Sequence, residues 1–115
     1  MPHNETKNGE MKQCIENCQS CAEICLETLT HCLKKGGEHV KQQHIALLQV
    51  CADICQTSAR AMLLNSQYHT VICGACAKIC EACAEECGSF ENDRMMKECA
   101  DVCKRCAESC REMTA

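Results

Sequence analysis

The 115-residue sequence has no tryptophan, one tyrosine and one phenylalanine, so aromatic side chains cannot dominate whatever core it builds. Its single proline is Pro2, and no long β-branched run occurs, which leaves the rest of the chain free of helix breakers and poor in strand signals. Basic residues are not in excess. Twelve Lys and Arg against 16 Asp and Glu give a net charge of −4, contrary to the basic stripe that neutralises nucleic-acid phosphates. No continuous apolar stretch is long enough to span a bilayer. The opening residues Met1 to Lys7 lack the charged-then-apolar run of a signal peptide and carry no twin arginine. The expectation is a cytoplasmic protein with a flexible N-terminal segment, 1–9, before a single domain, 10–115. No nucleophile–base motif, phosphate loop or acid pair is recognisable, so an enzyme is not expected.

Against these absences stand 16 cysteines. In a reducing compartment such density reads as metal binding or redox chemistry rather than as a disulfide framework. The glycines are Gly9, Gly36, Gly37, Gly74 and Gly88, and Gly36-Gly37 and Gly88 stand where helices should stop. The sequence predicts helices from about Glu10 to Lys34, Glu38 to Leu64, the polar break Asn65-Ser66-Gln67 to Cys87, and Asn92 to Met113, with Asn92 or Asp93 as the last helix's cap. Gly74 falls inside the third helix, at a cost of about 1 kcal/mol relative to alanine, and suggests a close helix contact. Short connections between helices of similar length favour antiparallel neighbours. The expected fold class is all-α, an antiparallel four-helix bundle.

The cysteines keep a helical period. Cys14, Cys18, Cys21, Cys25 and Cys32 lie on the first helix, with Thr28 in the missing slot; the steps of 4, 3, 4, 3 and 4 average the heptad seam. Cys51 and Cys55 lie on the second helix, their seam continuing through Ser58 and Met62 one way and Leu48 and His44 the other. Cys73, Cys76, Cys80, Cys83 and Cys87 lie on the third, and Cys99, Cys103, Cys106 and Cys110 on the fourth. All 16 fall on the stripe that faces the bundle axis. A protonated thiol packs as a small hydrophobe, but a core seam prefers larger, inert side chains. Sixteen cysteines there read as ligands.

Cu(I) is the metal that this pattern suits. Residues three or four apart on a helix place their Cβ atoms about 5–6 Å apart on one face, so two thiolates can converge on one ion. Cu(I) is soft, prefers thiolate and accepts low coordination numbers, whereas Zn²⁺ takes four tetrahedral ligands, typically from separate segments. Every cysteine except Cys32 has another three or four positions away. Sharing of sulfurs along such a ladder brings capacity towards one ion per cysteine, on the order of 16 per chain. Buried bare thiolates would be prohibitive, so the empty bundle should fold with neutral thiols and release protons as metal enters.

The repeated Cys-x-x-x-Cys-x-x-Cys-x-x-x-Cys of Cys14–Cys25, Cys73–Cys87 and Cys99–Cys110, with Cys51-x-x-x-Cys55, resembles the cytosolic, leaderless branch of the copper storage proteins over the whole chain. That resemblance implies a cysteine-lined bundle, several Cu(I) ions per chain bound to the 16 thiolates, and assembly into homotetramers. A copper chaperone is the partner expected to deliver the ions. Thr28, Ser58 and the sparse second helix depart from the pattern.

His44, His69, Met62 and Met96 are accessory candidates, because imidazole and thioether are weaker Cu(I) ligands suited to passing ions inward. The antiparallel arrangement gathers His31, Cys32, His44, Cys87 and Met95 or Met96 near the Gly36-Gly37 and Gly88 turns, which is the favoured mouth. Met11, Met62, His69, Cys110 and Met113 gather at the other end. Apolar stripes stepped off the cysteine seam, Leu47, Val50, Ile54, Ala61 and Leu64 on the second helix and Ile15, Ala22, Leu26, Leu29 and Leu33 on the first, suit helix-to-helix oligomerisation. Competing readings are a zinc or mixed-metal thiolate buffer, with few ions each bridging different helices, and a cysteine-pair redox or chaperone protein. An iron–sulfur protein fits less well, because the ferredoxin spacing Cys-x-x-Cys-x-x-Cys is absent.

Overall fold

The structure, a computed structural model, describes residues 5–114, with side chains described from Gly9 onward. Four α-helices carry the fold: α1 (Glu5–Lys35), α2 (Gln42–Leu63), α3 (His69–Gly88) and α4 (Arg94–Glu112). Each packs against two neighbours, α1 on α2, α2 on α3, α3 on α4 and α4 on α1, in an antiparallel bundle measuring 52 × 21 × 19 Å. A 31-residue helix is about 46 Å long at 1.5 Å per residue, so α1 spans most of the long axis and overhangs its shorter partners.

Local chemistry ends each helix. Lys34 and Lys35 complement the negative end of α1, and the Gly36 amide donates to the Cys32 carbonyl at 3.0 Å to close its last turn. Gly36 and Gly37 then take φ of 70° and 58°, left-handed values that suit residues without a Cβ. They turn the chain into a 3-10 helix, Gly37–Val40. This turn was not expected. It delays α2 to Gln42 instead of Glu38, while α1 begins at Glu5 instead of near Glu10; positions 1–4 of the expected N-terminal segment lie outside the described residues.

At the end of α2, Ser66 donates to the Ala61 carbonyl at 2.9 Å and Asn65 to Met62 at 3.1 Å, with Asn65 left-handed at φ 55°. This is the hydrogen-bond pattern of a Schellman stop, and it explains the polar break. Asp93, not Asn92, caps α4: its carboxylate accepts from the Met96 amide at 3.2 Å, while Asn92 takes the left-handed turn position at φ 62°. Gly74 serves no close helix contact. A Cβ there would meet Thr114 Cγ2 at 3.6 Å, an ordinary van der Waals distance.

The core inverts the usual layout of a bundle. All 16 cysteines are 0 % exposed and line the axis, joined by Leu48, Met62, Met96 and five small alanines on the flanks, Ala22, Ala52, Ala59, Ala77 and Ala107. The larger aliphatic residues Ile15, Leu29, Ile45, Leu47, Ile54 and Ile79 are half-buried against this column. They seal the seams between neighbouring helices and leave the axis to sulfur. Thr28 and Ser58, which stand in the seam where cysteine would continue it, are also fully buried.

Candidate metal centre

A heptad seam aims one side chain per turn at the axis, and four such seams meet there. The result is a column of sulfur. Diagonal helices touch through it: Cys21 on α1 lies 3.9 Å from Cys80 on α3, and Cys55 on α2 lies 3.8 Å from Cys106 on α4. Within one helix, Cys76–Cys80, Cys99–Cys103 and Cys106–Cys110 are 3.8, 3.9 and 4.0 Å apart. Facing helices bring sulfurs closer still, with Cys55–Cys80 at 3.4 Å and Cys18–Cys110 and Cys21–Cys103 at 3.5 Å. The pairing expected along each helix is therefore at contact distance on α3 and α4 only, and is secondary to pairing across the bundle.

Four all-thiol quartets result, each with its sulfurs within 4.8 Å of one another: Cys18, Cys76, Cys106 and Cys110; Cys21, Cys55, Cys80 and Cys106; Cys21, Cys25, Cys51 and Cys103; and Cys25, Cys83, Cys99 and Cys103. Consecutive quartets share members. Cys106 joins the first to the second, Cys21 the second to the third, and Cys25 and Cys103 the third to the fourth. Separate zinc sites would each need four ligands of their own. A column whose sulfurs belong to two neighbouring groups suits a soft ion that accepts few ligands and tolerates bridging.

Thiol contacts and burial split the column's titration: ten of the 16 cysteines are held above the usual thiol range, whereas Cys14, Cys21, Cys51, Cys76, Cys99 and Cys106 are held below it by neighbouring thiols. Burial pushes Cys32 up to about 11, and the negative charge of Asp93 adds to it. Cys73 sits at about 12: its contact with Cys110 pulls it down, while its contact with Cys14 and its burial outweigh that pull. Cys87 is raised by its contacts with Cys83 and Cys99 and then by burial. All 16 cysteines are free, so each sulfur is available to a metal that displaces its proton.

A profile of the copper storage proteins matches residues 7–115. The chain belongs to the copper storage protein family. Among solved structures, the Nmul_A1745 protein of Nitrosospira multiformis is 42% identical, with 93% of this chain and 96% of that one covered and a TM-score of 0.88. The Cu(I)-bound copper storage protein BsCsp3 is 40% identical over 92% of this chain and 99% of its own, with a TM-score of 0.86. A cytosolic copper storage protein from Streptomyces lividans, solved during copper loading with five coppers, is 28% identical over 92% of each chain, with a TM-score of 0.83.

As a copper storage protein, the chain places its remaining ligand candidates at the two ends of the column. Cys14 lies 3.7 Å from Cys110, and Cys73 adjoins the same pair. At the Gly36-Gly37 end, Cys87 lies 3.8 Å from Cys99. Cys32, the one cysteine without a cysteine neighbour on its own helix, meets His44 Nε2 at 3.3 Å and Met96 Sδ at 3.7 Å instead. His44 is buried, which holds its imidazole below the usual range and keeps the ring neutral. Met96, rather than the half-buried Met95, is the methionine at this end. Met62 is buried in the column, whereas His69 is only half-buried and its Nδ1 lies 2.9 Å from the Ser66 carbonyl.

Three residues near the Gly36-Gly37 end escaped sequence reasoning as a group. His39, Phe90 and Asp93 form a polar and aromatic cover there, with the His39 and Phe90 ring centroids 4.4 Å apart and Phe90 and His44 4.9 Å apart. A single phenylalanine beside a Gly-rich turn was the available signal, but it did not say which histidines it would meet.

Proposed function

We propose that this protein stores Cu(I) in the cytoplasm, binding many ions per chain to the thiolates of its 16 cysteines, without turning over any substrate. The observation that carries this reading is the run of four quartets that share Cys21, Cys25, Cys103 and Cys106 along the axis. Each arriving ion replaces thiol protons with a metal charge, so the buried column is never left with bare thiolates. Shared sulfurs let neighbouring ions use one thiolate twice, which raises capacity above what isolated four-ligand sites would allow. The folded thiol form gives the ions a preformed receptacle, unlike a zinc finger, which needs its metal to fold.

Cys32, His44 and Met96 form the mouth in this reading. A thioether and a neutral imidazole beside one thiol hold Cu(I) less tightly than the thiolate column and pass it inward, after delivery by a copper chaperone. The family assignment and the exposed apolar residues Leu26, Leu33, Val50, Leu63 and Leu64 support assembly into a homotetramer, in which α1 and α2 of one copy cover those of another. Support for the cytoplasm comes from the reduced thiols the column requires and from the described residues, among which no helix is long and apolar enough to cross a membrane.

An anaerobic titration of the fully reduced protein with Cu(I), against a coloured Cu(I) chelator, tests the proposal. The expected result is a stoichiometry in the teens per chain, on the order of one ion per thiolate, with the chelator outcompeted throughout. Saturation at about one to four ions would instead mean isolated sites of the zinc or chaperone kind and would sink the storage reading.

A further inference from the structure

Outside the sulfur column, His31, His39 and Asp93 bring three ligand atoms within 4.8 Å of one another. His31 Nε2 and His39 Nε2 approach the same carboxylate oxygen, Asp93 Oδ2, at 2.9 and 2.8 Å. We propose that these three side chains form a second metal site, chemically distinct from the thiolate column, for a borderline divalent cation of the Zn²⁺ class.

Ligand type argues for that class. Two imidazoles and a carboxylate suit Zn²⁺ and its neighbours in the divalent series, whereas Cu(I) favours the thiolates a short distance away. The ligands come from three separate segments, the C-terminal part of α1, the 3-10 turn and the cap of α4, so they can approach one ion from different sides. His31 and His39 keep 27% and 17% of their side-chain surface exposed and Asp93 9%, which leaves the outer position open to a water as fourth ligand.

The fit needs only a small adjustment. Nitrogen and oxygen ligands on a tetrahedral Zn²⁺ stand about 3.3 Å apart, so the two contacts must open by about half an ångström. Half-exposed imidazoles can make that movement by small side-chain rotations.

The supporting contacts are already in place. Asp93 Oδ1 takes the Met96 amide, which fixes the carboxylate and leaves Oδ2 facing the two rings. Burial raises the Asp93 carboxyl, but the hydrogen bonds to His31 and His39 outweigh it and hold the group well below the usual range, so it is ionised at neutral pH. Phe90 packs against the His39 ring, and the left-handed Gly36-Gly37 turn carries His39 back over α4. An ion here would tie α1, the turn and α4 together over the end where Cys32, His44 and Met96 lie.

The test uses the full-length protein saturated with Cu(I), so that its thiols are occupied; that choice rests on the storage reading, which the copper titration checks on its own. Co²⁺ is added as the probe and followed by its visible absorption, with Zn²⁺ displacing it. The expected result is one Co²⁺ per chain with no thiolate-to-cobalt charge-transfer band, and an affinity lowered at least about a hundredfold in His39→Gln and in Asp93→Asn. Asparagine still caps a helix, and unchanged Cu(I) capacity and helical circular dichroism identify both variants as folded. Absence of Co²⁺ binding in the copper-loaded wild type, equal binding in the two variants, or a thiolate charge-transfer band would each overturn the site and leave the cluster a hydrogen-bonded tie alone.

Discussion

Thr28 and Ser58 occupy cysteine slots in the seam, are fully buried, and leave their hydroxyl oxygens without a hydrogen-bond partner. An unpartnered buried hydroxyl costs about 1–3 kcal/mol, so Thr28→Cys should not destabilise the empty bundle and should raise copper capacity by about one ion. Thermal melts and chelator competition, compared with wild type, check the two halves separately. Cys32 gives a pH prediction. Its thiol rises from 9.0 in the unfolded chain to about 11 in the fold. Between those values the native state holds the proton that the unfolded state has lost, so stability falls as pH rises. This contribution is complete below about pH 9 and gone above about pH 11. Denaturant unfolding of the reduced, metal-free protein across that window should show the decline, and Cys32→Ser should make it shallower by about one proton's share, the other raised thiols supplying the rest.

At the scale of the element, α3 contains an unforced weakness. Gly74 has a right-handed helical backbone with only an ordinary contact waiting for a Cβ, so Gly74→Ala should stabilise the protein by about 1 kcal/mol and raise its melting temperature by about 4 °C. A decrease would mean that the Thr114 contact is tighter than 3.6 Å implies. The helix ends divide into two kinds. The Asn65 stop and the Asp93 cap follow from side chains that satisfy nearby amides and carbonyls, and so could be anticipated locally. The 3-10 turn after Gly36-Gly37 has no comparable cap: no side chain hydrogen-bonds at its N-terminus, and His39 is held instead by Asp93 at the start of α4.

For the whole molecule, the decisive property is that a bundle with sulfur on its axis can fold empty. Its aliphatic residues lie between neighbouring helices and exclude water without help from metal. Replacing Cys76, Cys80, Cys103 and Cys106 with serine touches all four quartets and leaves those flanks intact. The variant should bind fewer Cu(I) by several ions while its metal-free form keeps wild-type helical circular dichroism and a cooperative melt. Unchanged copper uptake would reject the axial column as the store.

The sequence by itself determined the four helices, their antiparallel order and the inward placement of all 16 cysteines, because helical period is a local property. It also marked Cys32 as the cysteine without a partner on its own helix. Only the tertiary structure decided which thiols share a quartet, that facing helices pair more closely than neighbours on one helix, and that His44 and Met96 come to Cys32 while His69 turns to a backbone carbonyl. Likewise it alone brought His31, His39 and Asp93 together, across as many as 62 positions. Such meetings depend on the rotation and axial register of whole helices, which the packing of their flanks sets and no single helix's period contains.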